Sequence, residues 1–231
     1  GRVLRRRRAL WPPDGVRTDL EVISGLADRL GATGFPADPR AVFDELRAAS
    51  AGGIADYSGI SYDRLDAGEA LHWPCPAPGH PGTPRLFTER FAHADGRARL
   101  VPVDHTPSAE LPDAEHPLRA TTGRVLVHYQ SGAQTRRVAE LAAVVGESFV
   151  EVHPDTAARA GLAHGDWARV VSRRGTAHAR VRCVPGLRPD TVFLPFHFGG
   201  QQAANRVTSP ALDPISRMPE FKVSAVRIEP A

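Results

Sequence analysis

From Ala120 onward the apolar residues of this chain come in short bursts, each cut off by glycine, proline or a polar turn. Phe149 to Val152, Trp167 to Ser172, Ala177 to Val184, Thr191 to Pro195 and Val223 to Ile228 are too short for buried helices and rich in β-branched residues, so they read as strands. Ala177, Ala179, Val181 and Cys183 alternate with His178, Arg180 and Arg182, the period of two that a half-buried strand requires. The turn Arg173-Arg174-Gly175 joins this strand to the one before it as a hairpin. Val125 to His128 reads as a further short strand and Arg136 to Val144 as a helix. Pro154, with its fixed φ, opens a short helix that Gly161 closes. Short strands at this density predict a small barrel, with Cys183 on its apolar side.

The first half is built differently. Thr18 and Glu21 have capping-box spacing, Gly31 suits a left-handed terminus, and Leu20, Ile23, Leu26, Ala27 and Leu30 recur at helical spacing, so one face of a helix from Thr18 to Gly31 is expected to be buried. A second helix is predicted from Asp38 to about Ala49, with Asp38 as cap, Pro39 in the first position and Val42, Phe43 and Leu46 as its stripe. The segment Trp73-Pro74-Cys75-Pro76-Ala77-Pro78-Gly79 holds too much proline for a helix or central strand and reads as an extended surface loop. Leu86 to Phe91 and Arg97 to Val103 read as strands joined around Asp95-Gly96. A polar linker, Asp104 to Pro117, then sets the expected division into residues 1–117 and 118–231, a mixed α+β chain.

Composition narrows the function classes. Of 29 basic residues only Lys222 is lysine, and the formal net charge is +3. The densest basic run, Arg5 to Arg8, has no interleaved aromatics and reads as a solvated segment rather than a nucleic-acid stripe. Arginine's planar fork suits phosphates and pyrophosphates. No apolar run approaches the roughly 18 residues of a membrane span, and no export signal follows the arginines. The two cysteines, Cys75 and Cys183, exclude a disulfide scaffold and a four-cysteine metal site within these residues. The only methionine is Met218, so the chain is expected to be processed or part of something longer.

No residues form a recognisable catalytic centre. The histidines lack paired metal spacing, and no serine elbow, P-loop or dinucleotide fingerprint occurs. Three segments instead read as a binding wall. Thr122 to Gly132 places a Gly-Arg pair ahead of the polar run His128 to Ser131, where glycine-freed backbone and Arg124 can meet phosphate oxygens; taken by itself, the spacing favours a plain strand followed by a polar turn. Pro195 to Gly200, continued by Gln201, Gln202 and Asn205, offers close backbone approach and amide pairs. Asp213 to Lys222 brings the single lysine just ahead of the last strand.

In order, TGRVLVHYQSGAQTRR, HPDTAARAGLAHGDWARVVSRRGTAHARV, PDTVFLPFHFGGQQAANRVT and DPISRMPEFKVSAV resemble the C-terminal part of molybdopterin-dependent oxidoreductases, most closely the nitrate-assimilating branch. The upstream GRVLRRRRAL, PPDGVRTDLEVISGLADRLG and HWPCP segments are similar to the stretch that precedes the family's pterin-binding domain. The resemblance implies a six-stranded double-psi-type β-barrel that clamps bis(molybdopterin guanine dinucleotide) with molybdenum. It also implies a soluble cytoplasmic enzyme that takes nitrate as substrate and electrons from a donor protein. Thr122, Gly123, Arg124, Val125, Leu126, His128, Tyr129, Gln130, Ser131, Asn205 and Lys222 match cofactor-contacting positions. Phe196 matches the inner end of the substrate funnel. The family's N-terminal cysteine cluster for a 4Fe-4S centre and its molybdenum ligand have no counterpart here, so catalytic and metal residues are expected elsewhere in the polypeptide. A formate dehydrogenase of the same family, or a stand-alone β-barrel module without catalysis, are the competing readings.

Overall fold

Thr18 caps the first helix in the manner its spacing predicts: Glu21 N–H donates to Thr18 Oγ1 (3.3 Å) and Thr18 N–H donates to Glu21 Oε2 (2.7 Å). In this computed structural model, which describes residues 1–231, that helix is α1, Asp19–Arg29, within a unit spanning Gly1–Pro102. Asp38 caps α2, Pro39–Ser50. A further helix absent from the sequence expectations, α3 (Tyr62–Asp66), is capped by Ser61; at a single turn in length it has no periodicity to detect.

Three expectations for this unit are corrected. The apolar face of α1 is largely uncovered: Ile23, Leu26 and Leu30 are 51%, 58% and 75% exposed, while Ala27 is buried and Leu20 half-buried. The proline-rich loop is not a surface loop throughout, because Cys75 is fully buried and forms a small core with Ile60 and Leu71, edged by Phe43, Tyr57 and Trp73. Residues 86–103 contain no strand. Their turn is real, with Phe91 N–H donating to Gly96 O and Arg97 N–H to Asp95 Oδ1, but no sheet edge lies alongside to extend it.

The second unit spans Val103–Ala231 and so begins ahead of the expected boundary at residue 118. Glu110 explains why: its carboxylate accepts from Arg173, Arg174 and the Ala225 N–H, which ties the expected linker to the strands. Six strands, β1 (Leu118–Gly123), β2 (Phe149–Val152), β3 (Trp167–Ser172), β4 (Thr176–Cys183), β5 (Thr191–Pro195) and β6 (Ser224–Pro230), close into a barrel in the order β1-β5-β2-β4-β3-β6. β1 runs parallel to β5 and β2 parallel to β4, the other pairs being antiparallel, so the barrel is mixed. This is the six-stranded barrel that the resemblance implied. Helices α4 (Ala139–Val144) and α5 (Pro154–Arg159) lie in the connections, and a single 3-10 turn, Thr135–Arg137, precedes α4.

Alternation fills the interior. Val150, Val152, Val170, Val181, Val192, Leu194 and Val226 are fully buried, with Ala168, Ala177 and Ala179 where facing strands leave less room. Each buried Val or Leu contributes roughly 1.5–3 kcal/mol. Cys183 packs against this core only in part. The first strand is displaced from its expected place: it occupies 118–123, and Val125–His128 is a turn closed by His128 N–H to Val125 O (3.2 Å). Leu118-Arg-Ala-Thr-Thr-Gly is weakly apolar, yet it pairs with strands on both sides, whereas Leu126 in the more apolar run points into solvent. No helix is long and apolar enough to cross a membrane.

Candidate functional site

β1 and β5 are parallel and in register, Thr122 opposite Leu194 and Gly123 opposite Pro195, so both end at the same mouth of the barrel; antiparallel β6 begins there. A Cβ built at Gly123 would lie 2.5 Å from Phe193 Cε2, so any side chain there would have to push that ring aside. Three chain segments therefore converge: Arg124–Gly132 leaving β1, Phe196–Phe198 leaving β5, and Phe221-Lys222 entering β6. They are the same three segments that the sequence marks out.

Between them lies a cleft of about 720 Å³, bordered by Thr122, Gln130, Ser131, Phe196, Asn205 and Phe221. Thr122 Oγ1 donates to Phe221 O (3.1 Å), and Lys222 Nζ donates to Thr122 O (2.6 Å), which ties β1 to the β6 entry. The Lys222 ammonium also lies 5.2 Å from the Phe221 ring centre and 5.8 Å from that of Phe196; Arg124 approaches the same Phe196 ring at 6.0 Å.

The cations of the barrel unit fall into two groups. Arg119, Arg173, Arg174, Arg180, Arg188 and Arg227 are each paired with a carboxylate. Arg124, Arg136 and Lys222 meet aromatic faces and backbone carbonyls instead, Arg136 through Gly132 O (3.3 Å), as Arg182 and Arg206 do elsewhere on the unit. An uncompensated positive field with hydroxyl and amide groups at its edge is suited to a polyanion bearing a heterocycle.

The loop that leaves β1 is held from beneath. His197 is fully buried; its Nε2 accepts from Val125 N–H (2.8 Å) and its Nδ1 contacts Gln130 O. A carbonyl on one side and an N–H on the other fix the neutral ring with its proton on Nδ1. Burial lowers its pKa, helped by His128, Arg124 and Arg136 and opposed by the bond to Gln130. The loop turns through left-handed backbone at Gln130 (φ 48°) and Gly132 (φ 72°). At Gly132 a Cβ would come within 2.9 Å of His197 O.

Of the residues singled out in sequence, Thr122, Gln130, Ser131, Phe196 and Asn205 line the cleft, and Lys222 and Arg124 flank it. Gly123 and Val125 take part through backbone geometry. Leu126 and Tyr129 face outward on the loop, outside the cleft lining. His128 is buried with both ring nitrogens engaged, Nδ1 with Thr135 Oγ1 (3.0 Å) and Nε2 with Val145 O (2.7 Å), so no polar atom of its ring is free. Gln202 is likewise occupied, its Oε1 accepting from Ser148 N–H (2.8 Å). Sequence reasoning missed His197 as a support and Thr208 and Phe221 as lining. The available signal was a polar ring between two phenylalanines at a strand end, where burial demands two partners.

Residues 118–225 match the family described as "Molydopterin dinucleotide binding domain". The barrel is a dinucleotide-binding domain of the molybdopterin enzymes. Over its whole length the chain is 46% identical to the assimilatory nitrate reductase catalytic subunit of Bacillus subtilis, covering 33% of that protein. It is 37% identical to F420-dependent formate dehydrogenase 2 subunit alpha of Methanococcus maripaludis (99% of this chain, 33% of the relative). It is 33% identical to the periplasmic nitrate reductase of Desulfovibrio desulfuricans (97% and 32%). The chain thus spans about a third of the length of these curated relatives. The residues at the domain's mouth fit the group that its family binds: unpaired cations for pyrophosphate, and the Thr122, Gln130, Ser131 and Asn205 side chains for the edges of a pterin or guanine ring.

Proposed function

We propose that this chain holds the organic ends of a bis(molybdopterin guanine dinucleotide) cofactor in a larger cytoplasmic molybdenum enzyme that reduces nitrate to nitrite for assimilation. The observation that carries the cofactor reading is a polar-edged cleft on a matched dinucleotide-binding domain, flanked by Arg124 and Lys222, neither of which is paired with a carboxylate. Nitrate is favoured because the chain is 46% identical over its whole length to an assimilatory nitrate reductase, against 37% to the formate dehydrogenase of Methanococcus maripaludis.

The bound cofactor supplies the two-electron redox chemistry. The chain's own residues bind and orient. Lys222 and Arg124 neutralise phosphate charge, Thr122, Gln130, Ser131 and Asn205 donate to or accept from the heterocycles, and Phe196 walls the inner end of the substrate path. The molybdenum ligand, a 4Fe-4S cluster and the docking site for an electron donor would come from other parts of the polypeptide.

A formate dehydrogenase is the second reading, favoured by 37% identity to enzymes so named. The complete gene product, assayed with a reduced viologen dye, is expected to oxidise the dye when nitrate is added and to leave oxidised dye unchanged with formate. Formate-dependent dye reduction without nitrate turnover would replace the first reading by the second.

A further inference from the structure

We infer that His197 is the positioning residue of the Arg124–Gly132 loop, and that its neutral ring makes the hold on the dinucleotide sensitive to acid. The inference rests on the cofactor reading above.

The ring is a strut with two specific ends. Nε2 accepts the N–H of Val125 at the loop's start (2.8 Å), and Nδ1–H donates to the carbonyl of Gln130 near its finish. Gln130 and Ser131 line the cleft, and Arg124 precedes Val125, so one side chain sets where the donors of the cleft stand. A backbone N–H cannot turn into an acceptor. If Nε2 gains a proton, two donors face one another and the Val125 bond is lost.

The neighbouring histidine behaves differently. His128 lies with its ring centre 5.6 Å from that of His197. Its Nε2 faces the Val145 carbonyl and its Nδ1 the Thr135 hydroxyl, which can rotate to accept. A charged His128 keeps both partners; a charged His197 does not.

Charged groups around His197 all act in one direction. Arg124, Arg136 and His128 are the charged or titratable groups against it, and Lys222 lies beyond the Phe196 ring that packs on it. Burial and these cations together oppose protonation in the closed loop. The open loop, with an ordinary histidine near pH 6.5, therefore binds the proton better. Closure is at full strength above that pH and weakens about tenfold for each unit below it, until the closed form itself titrates.

Two measurements on the complete gene product test this. The first is amide hydrogen exchange at Val125, normalised to the intrinsic rate, between pH 7.5 and 5.5. The second is guanine nucleotide retained after desalting over the same range, in the wild type and in His197→Gln, whose amide can accept from Val125 but does not titrate. Wild-type Val125 should be protected at pH 7.5 and about tenfold less protected at pH 5.5, with nucleotide lost in parallel. His197→Gln should retain nucleotide evenly across the range. An unprotected Val125 amide at pH 7.5, or equal acid release from both proteins, overturns the inference. Absence of guanine nucleotide from the wild type at neutral pH overturns the cofactor reading, while Val125 protection and its pH dependence still decide the strut.

Discussion

Lys222 is the only lysine among 29 basic residues, and its ammonium lies against Thr122 O and two phenylalanine rings with no carboxylate beside it. A cation placed so contributes to folding one charge-assisted bond of about 1.5–3 kcal/mol, and is free to act on an anionic ligand. Lys222→Ala in the complete gene product should lower stability by no more than about 3 kcal/mol in urea unfolding while reducing nucleotide retention about tenfold. Unchanged retention would remove Lys222 from the site. Gly123 makes the opposite case, a residue with no chemistry whose absent side chain sets the geometry. Gly123→Ala places a methyl 2.5 Å from Phe193 Cε2 and should cost about 1–3 kcal/mol in the same measurement. Lys222 stands out in sequence by its rarity, and Gly123 by lying next to Arg124. His197 does not stand out, because the significance of a buried ring lies in partners at positions 125 and 130, which no local pattern connects to it.

Among the elements, those governed by neighbouring residues were legible and those governed by distant ones were not. The capping box of α1, the proline at the start of α2, the β3–β4 hairpin and β5 at Thr191–Pro195 all follow from short-range signals. β1 does not, since Leu118–Gly123 becomes a strand by pairing with residues 191–195 and 224–226. The converse error was to read strands on either side of Asp95-Gly96, where the turn forms without a sheet to join.

Glu110 shows what the segment before β1 does. Burial works against its ionisation, but Arg174, the Ala225 N–H and Arg173 outweigh that and hold the carboxyl down at about 2, against an ordinary 4.5. A depressed carboxyl stabilises the fold above its ordinary value, and this stability is lost as pH falls from about 4.5 towards 2. Glu110→Gln should therefore destabilise the barrel by about 3 kcal/mol at pH 7 and flatten the acid limb between pH 5 and 3. An acid limb identical to wild type would place the titrating group elsewhere.

At the scale of the whole molecule, the chain covers about a third of its curated relatives, and Ile23, Leu26 and Leu30 present an uncovered apolar stripe on α1. Such a stripe marks a contact surface more often than a free one. The 231-residue chain produced by itself should bind an environment-sensitive apolar dye, and Ile23→Gln with Leu26→Gln and Leu30→Gln should lower that signal without changing the unfolding midpoint of the barrel; an undiminished signal would assign the exposed surface to another element.

On the proposed function, the mouth of the barrel holds a guanine dinucleotide form of the molybdenum cofactor. The most direct test is the molybdenum and guanine nucleotide content of the purified complete gene product, measured by elemental analysis and by chromatography of the acid-released nucleotides. Two guanine nucleotides are expected for each molybdenum; a protein that carries molybdenum without guanine nucleotide, or neither, would overturn the assignment.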